Sequence, residues 1–124
     1  MTTIQPTVPS GIDVTSLVEA LVSRDAAGVA AWYADDATLT LHDRDHPPAA
    51  PQVYAGKTDI ETYFRDVCGR NVEHDIRDLI SDEHGFGFAQ HCRYPDGTAV
   101  VCVTVAAVKN NRIQHQTVAQ TWDS

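Results

Sequence analysis

The residues best suited to chemistry lie in a segment whose apolar side chains recur at every second position. From residue 72 onward this spacing puts His74 and Asp78 on one face with Val72, Ile76 and Ile80. Imidazole titrates near neutral pH, as general acid-base catalysis requires. We therefore predict His74 as a catalytic residue, oriented by Asp78. The alternative is a core histidine bonded to a backbone carbonyl, with Asp78 in water at the strand end.

Two further polar residues lie in segments with the same spacing. His115 is in phase with Ile113 and Thr117 in the last apolar segment. If it faces inward, it opposes His74 across a pocket as a third catalytic residue; if outward, it is a polar residue of the sheet surface or of a dimer contact. Gln90 shares its phase with Phe88, so we place it inward and His91 outward.

Aromatic and apolar side chains supply the wall that a ligand site needs, or else they form ordinary core. The predicted ligand-binding residues are Trp32, Tyr33, Tyr54, Phe64, Ile76, Phe88 and Gln90. His42, Asp43 and His46 have donor types suited to a divalent metal, but they lie in a proline-rich segment with no clear fourth ligand. We predict a solvated rim there, no metal site and no cofactor.

The secondary structure that positions these residues can be predicted starting from the long uncharged segment Thr98 to Val108. This segment predicts a strand long enough to bend. The turn residues Tyr94 to Gly97 precede it, and Asn110-Asn111 follows it as a two-residue turn of positive φ. The neighbouring segments are therefore its neighbours in a curled antiparallel sheet.

The rest of the chain predicts helices first and strands afterwards. Asp13 and Asp25 are suited to cap two short helices, the second carrying Trp32 and Tyr33, and Thr58 and Glu61 form a capping box for a third. The predicted strands are 37–41, 72–80, 86–94, 98–108 and 112–122, and 42–51 is a loop. This order predicts an α+β fold, a cone with a pocket between the curled sheet and three helices.

Length and charge exclude several classes of protein. The 124 residues fit one domain, residues 13–124, preceded by a flexible arm, residues 1–12, with no features of a signal peptide. A net charge of −8 with scattered basic residues argues against nucleic acid and anionic membranes as partners. Three cysteines without a CxxC spacing predict reduced, buried thiols in a cytoplasmic protein, with a Cys92–Cys102 disulfide as the alternative.

Four short motifs carry a resemblance to a known family. Trp32-Tyr33-Ala34-Asp35-Asp36-Ala37 and Gly56-x-x-x-Ile60-x-x-Tyr63-Phe64 resemble signatures of the NTF2-like superfamily, in its SnoaL-like branch, as do Asn111-Arg112-Ile113 and the terminal Trp122-Asp123. The resemblance implies the cone-shaped α+β barrel. It also implies one of several functions, because isomerases, polyketide cyclases, epoxide hydrolases, dehydratases and non-catalytic association domains share the fold.

The activities of that superfamily can be compared with this chain residue by residue. Where ketosteroid isomerases carry a general-base Asp and a Tyr of the oxyanion pair, this chain has Leu41 and Leu17, and Val118 stands near the expected Asp of the epoxide hydrolases. The prediction is therefore a protein that binds a small hydrophobic or carbonyl-containing molecule, with isomerase, cyclase or lyase activity by proton transfer. The alternative is a non-catalytic binding or dimerisation module. Outward valines on the long strands predict a homodimer through the sheet.

Overall fold

A computed structural model describes residues 12–123 of the chain. The helices of this part are α1 (Val14–Val22), α2 (Ala26–Ala30) and α3 (Lys57–Gly69), and the strands are β1 (Tyr33–His42), β2 (Gln52–Ala55), β3 (Glu73–Asp82), β4 (Gly85–Arg93), β5 (Ala99–Lys109) and β6 (Arg112–Trp122). The predicted arm, residues 1–12, lies outside the described residues except for Ile12, which packs against the core.

The six strands form one curled, unclosed sheet in the order β2-β1-β6-β5-β4-β3. β3 to β6 make the predicted antiparallel meander, whereas β1 lies parallel to β6 and extends the sheet. β2, which pairs with β1, was missed because it is a four-residue strand directly after a proline-rich loop. The helices pack against the sheet, and the predicted cone-shaped α+β fold is confirmed.

The first two helices begin at the predicted caps. The Asp13 side chain accepts from the backbone N–H of Ser16, and that of Asp25 accepts from the N–H of Gly28 at 3.0 Å. α2 is shorter than predicted, because the backbone carbonyl of Trp32 accepts from the N–H of Ile113 and draws the chain into the sheet. Tyr33 therefore opens β1 instead of closing a helix.

The third helix begins without the predicted capping box. Its N-cap is Gly56, which no side chain caps, and the Glu61 carboxylate accepts from Arg65 at 2.6 Å. The helix starts at Lys57, so Thr58 already lies in its first turn and is not at the capping position. Gly56 has a φ of +91°, which a residue with a side chain rarely adopts.

Two irregularities change which side chains face inward. β3 has a register shift between Arg77 and Ile80, where Asp78 takes a φ of +57°; Asp78 is exposed and Ile80 is 76% exposed. A second shift, at the end of β5, falls opposite the start of β6, where Ile113 and Gln116 are both buried and His115 is exposed. The inward placement predicted for Asp78 and Ile80 is therefore wrong, and His115 takes the outward alternative.

Both turns around the long strand form as predicted. The N–H of Gly97 donates to the carbonyl of Tyr94 at 2.9 Å. At the other end Lys109 pairs with Arg112, which leaves Asn110 and Asn111 as a two-residue turn with φ values of +54° and +61°. Positive φ at both central residues matches the right-handed twist of the hairpin.

This turn gives a test of the fold. We expect Asn111→Val to lower the free energy of unfolding by about 1–2 kcal/mol, because a β-branched side chain is strained at positive φ. Asn111→Gly, the matched control, should be at least as stable as the unchanged protein. Urea unfolding followed by circular dichroism measures both, and equal stability of the two variants would contradict the turn geometry.

Candidate functional site

A cavity lies between the concave face of the sheet and the helices. Leu17 of α1 and Phe64 of α3 face the inward side chains of β4, β5 and β6, among them Phe88 and Val118. Apolar walls with a few polar groups are typical of a small-molecule site.

The size of the cavity limits what it can hold. The centre of a water molecule can reach about 60 Å³ of its interior. At roughly 10–15 Å³ of such space for each water, this corresponds to about four to six waters. The cavity as it stands therefore fits a compact molecule of about one ring, and a polycyclic one requires side chains to move.

One wall of the cavity is a buried chain of hydrogen bonds. The Tyr33 hydroxyl bonds the Gln116 side-chain carbonyl, and the Gln116 amide donates to the Thr104 hydroxyl at 2.6 Å. Thr104 in turn donates to the backbone carbonyl of Thr117. Burial raises the pKa of Tyr33 well above its usual value, so this hydroxyl keeps its proton and acts as a donor.

The opposite wall carries an imidazole beside a thiol. His74 of β3 pairs directly with Cys92 of β4, and the Cys92 Sγ lies 3.4 Å from the imidazole Nδ1. The side-chain amide of Gln90 holds the same Nδ1 at 2.8 Å. The other ring nitrogen, Nε2, is shielded from solvent and has no hydrogen-bond partner among the described residues.

A second thiol adjoins the first. Cys102 of β5 pairs with Gln90, and its thiol neighbours that of Cys92. The contact with Cys102, together with those with His74 and Gln90, lowers the pKa of Cys92 to about 5, although burial opposes the change. The pKa of Cys102 is raised by its contact with Cys92 and by burial. All three cysteines are free and buried, in line with the predicted reduced thiols.

The edge of the cavity is formed by the end of α3 and the ends of the long strands. The Arg70 guanidinium donates to the Tyr94 hydroxyl at 3.0 Å and to Asp66. The Tyr94 ring stacks on Trp122, with the Arg44 guanidinium 4.6 Å from the centre of the Trp122 ring. Charged and aromatic groups thus converge on one part of the lining.

The structure brings together about half of the predicted site residues. His74, Tyr33, Phe64, Phe88 and Gln90 line the cavity. Trp32, Tyr54 and Ile76 pack against the core outside it, and Tyr54 contacts the lining residue Tyr63 at a ring-centre distance of 4.8 Å.

The two other predicted catalytic residues lie away from the cavity. Asp78 is exposed on the β3 irregularity, and His115 is exposed with its Nδ1 2.6 Å from the Thr38 hydroxyl. His74 therefore has neither of its predicted partners, because the irregularities in β3 and β6 reverse the alternation on which those placements rested.

Sequence reasoning missed several polar residues of the lining, among them Cys92, Cys102, Gln116 and Arg70. Cys92 has the same phase in β4 as Gln90, so the alternation that placed Gln90 inward contained this signal. The irregular start of β6 concealed Gln116, because regular alternation from Ile113 points it outward.

The proline-rich loop forms a local turn. The carboxylate of Asp43 lies 2.8 Å from the His46 Nδ1, and this contact lowers the pKa of Asp43 against the opposing effect of burial. Within residues 12–123 no group of three His, Cys, Asp or Glu side chains is placed to hold a metal ion. Across the same residues, every helix is too short or too polar to span a bilayer.

A second hollow lies between β3, β4 and β5 on the outer side of the sheet. It is larger by the same measure, about 260 Å³, but its rim is made of charged and polar side chains such as Asp75, Arg77 and His91. The lining of this second hollow is mostly polar, whereas the walls of the concave cavity are mostly apolar. We therefore take the concave cavity as the candidate site.

The fold and the cavity define a class of protein, the NTF2-like proteins, whose solved members superpose on this chain. A protein of unknown function from Mesorhizobium loti matches with a TM-score of 0.75 at 14% identity, over 97% of this chain and 99% of its own. A candidate ketosteroid isomerase from Kribbella flavida gives 0.72 at 16% identity, over 90% and 75%. A loop-truncated variant of IdmH gives 0.64 at 16% identity, over 86% and 88%.

The family follows from the sequence model that matches. The SnoaL-like domain model covers residues 14–116, so the chain belongs to the SnoaL-like family. No curated protein matches the sequence.

The buried hydrogen-bond chain gives a test of the site geometry. We expect Tyr33→Phe to lower the free energy of unfolding by about 1–3 kcal/mol, because it leaves the Gln116 carbonyl buried without its donor. Tyr63→Phe is the matched control: Tyr63 lines the same cavity, and its hydroxyl has no hydrogen bond among the described residues. Urea unfolding measures both, and a loss at Tyr63 as large as that at Tyr33 would contradict the assignment.

Proposed function

We propose that the protein binds a compact, mostly apolar, carbonyl-containing molecule in the concave cavity and moves a proton on it through His74. One observation carries the proposal: His74 lines the cavity with Nδ1 held by Gln90, while Nε2 is shielded from solvent and unpaired among the described residues. An unpaired buried polar atom is costly. We propose that a small shift of the surrounding side chains, when a ligand enters the cavity, brings Nε2 into contact with it.

The proton chemistry follows from the bond at Nδ1. With the Gln90 amide donating to Nδ1, the neutral imidazole carries its proton on Nε2 and can give it to a ligand oxygen. If Cys92 or a turned Gln90 amide accepts from Nδ1–H instead, Nε2 has a free lone pair and can take a proton from a carbon next to the carbonyl. An isomerase, a cyclase and a lyase can each begin with that second step.

The comparisons support the class of function and leave the reaction to experiment. The SnoaL-like family commonly binds small-molecule ligands, and one structural relative is named as a candidate ketosteroid isomerase. The second candidate function is binding without catalysis. The exposed positions of Asp78 and His115 favour it, because neither of these two residues can assist His74 in the cavity.

Exchange of hydrogen for deuterium next to a carbonyl tests the proton transfer directly. In D₂O, we expect the protein to accelerate exchange at the α-carbons of cyclohexanone, measured by proton NMR. His74→Gln should slow the protein-dependent exchange by about 10²-fold or more, the range for removal of a general base. His91→Gln is the matched control, an outward histidine on a neighbouring strand, and should leave the rate unchanged.

Binding of cyclohexanone must be measured separately from the hydrogen–deuterium exchange. Saturation-transfer NMR on the same samples reports whether cyclohexanone contacts the protein. Contact without accelerated exchange would support the non-catalytic alternative, and equal exchange by His74→Gln and the unchanged protein would exclude His74 as the base.

We also propose that the chain forms a homodimer through the outer face of the sheet. Val103 and Val105 of β5 point away from the cavity and are 52% and 64% exposed. β-branched side chains at neighbouring outward positions on an exposed sheet face are suited to burial against a symmetric copy.

A charge on that face tests the association. We expect sedimentation equilibrium to give twice the chain mass at micromolar concentration, and Val105→Lys to shift the protein to the mass of one chain by burying an unpaired charge. Val53→Lys, at an exposed valine of the edge strand β2, is the control and should remain dimeric. A single-chain mass for the unchanged protein would refute the proposal.

A further inference from the structure

We propose that Cys92 is a nucleophile that forms a covalent adduct with compact α,β-unsaturated carbonyl compounds entering the concave cavity. The proposal rests on the same cavity as the proposed function, but it assigns a different atom and a different reaction. Cysteine is the strongest nucleophile among the side chains that line this space.

The sheet register places the groups that such a nucleophile needs. Cys92 pairs with His74 on one side and with Val100 on the other, and Cys102 follows two residues after Val100 on the same inward face. The Cys92 Sγ therefore lies 3.4 Å from the His74 Nδ1, and the Cys102 thiol is its other neighbour on this face. A base beside the thiol and a donor to the thiolate are the two requirements for activation.

The three cysteines differ in their tendency to ionise. The contacts with Cys102, His74 and Gln90 lower the pKa of Cys92 to about 5, which favours its thiolate at neutral pH. The pKa of Cys102 is raised by its contact with Cys92 and by burial, and that of Cys68 is raised by burial. Of these three cysteines, Cys92 is the one whose surroundings favour the thiolate.

The reaction is an addition that needs no oxidant or other co-reactant. The Cys92 thiolate attacks the β-carbon of the unsaturated carbonyl, and a carbon–sulfur bond forms. The π electrons of the carbon–carbon double bond move toward the carbonyl oxygen as an enolate. The α-carbon then takes a proton from the imidazolium of His74, which had received it from the thiol. Loss of that α-proton and expulsion of the thiolate reverse the addition.

The cavity restricts the electrophile by size. Its interior of about 60 Å³ admits a single-ring enone and not a polycyclic one without rearrangement. We therefore use 2-cyclohexenone as the probe, with freshly reduced and desalted full-length protein, and follow the adduct by intact mass and its position by peptide mapping.

The pH dependence of the rate separates an activated thiol from an ordinary one. We expect one adduct, at Cys92, with a rate at pH 6 within about twofold of that at pH 8, because a thiol of pKa about 5 is ionised at both. An ordinary thiol of pKa about 8.5 would react about 75-fold faster at pH 8 than at pH 6. This measurement needs no variant, so it does not depend on whether a variant folds.

Variants assign the contributing groups. Cys92→Ser should lose the adduct, and Cys68→Ser, the matched control, should keep the full rate. His74→Gln should lower the rate at pH 6 by tenfold or more and restore a strong rise toward pH 8.

Three outcomes would overturn the proposal: modification mainly at Cys68 or Cys102, an ordinary pH dependence at Cys92, or an adduct of equal yield in Cys92→Ser. The outcome is distinguishable from that of the proposed function. Rapid adduct formation without exchange at cyclohexanone would support Cys92 as a nucleophile and refute proton transfer by His74. Exchange without an adduct would support the proton transfer and refute the nucleophile.

Discussion

The packing of α3 into the curve of the sheet is the constraint on which the rest of the structure depends. Ile60 is 0% exposed, and the ring of Phe64 lies 5.7 Å from that of Tyr33 at the start of β1. Complete burial of such a side chain contributes about 1.5–3 kcal/mol. This contact fixes the helix against β1, which in turn sets the distance between the helices and the meander.

The cavity is a consequence of that distance. α1 and α2 are only nine and five residues long, so they cover the sheet beside α3 but do not fill its curve. The side chains left facing the gap are polar at several positions: Gln116 and Thr104 satisfy each other, and Gln90 satisfies one nitrogen of His74. A buried hydrogen bond of this kind adds only about 0.5–1.5 kcal/mol to stability, but leaving one partner unpaired costs more, so these groups hold the lining in one arrangement.

Much of the fold could be predicted from the sequence because it depends on interactions between residues close together in the chain. These interactions include helix capping by aspartates, turns with positive φ and the alternation of side chains along a strand. For this reason Asp13, Asp25 and Asn110-Asn111 could be placed from the sequence. The parallel pairing of β1 with β6 depends on contacts between residues about 80 positions apart. No pattern in the sequence around Tyr33 indicates this pairing. The site was harder to predict from the sequence. An irregularity in β3 turns Asp78 outward, and another at the start of β6 makes Gln116, instead of His115, face inward. The alternation of side chains along a strand predicts which face each one occupies only while the pairing with the neighbouring strand stays in regular register.

The two proposed chemistries share one proton position. Nδ1 of His74 holds either a hydrogen or a lone pair, and both Gln90 and Cys92 are within reach of it. When the Cys92 proton is added to an imidazole that already carries a hydrogen on Nε2, both nitrogens are protonated, so Nε2 can donate to a carbonyl oxygen but cannot remove a proton from carbon. When the Cys92 thiolate accepts from Nδ1–H of a neutral imidazole, Nε2 keeps its lone pair and can act as a base. When Cys92 keeps its proton or carries an adduct, the imidazole is free to be neutral and act as a base. The number of protons that Cys92 and His74 hold between them therefore decides which of the two roles His74 can take.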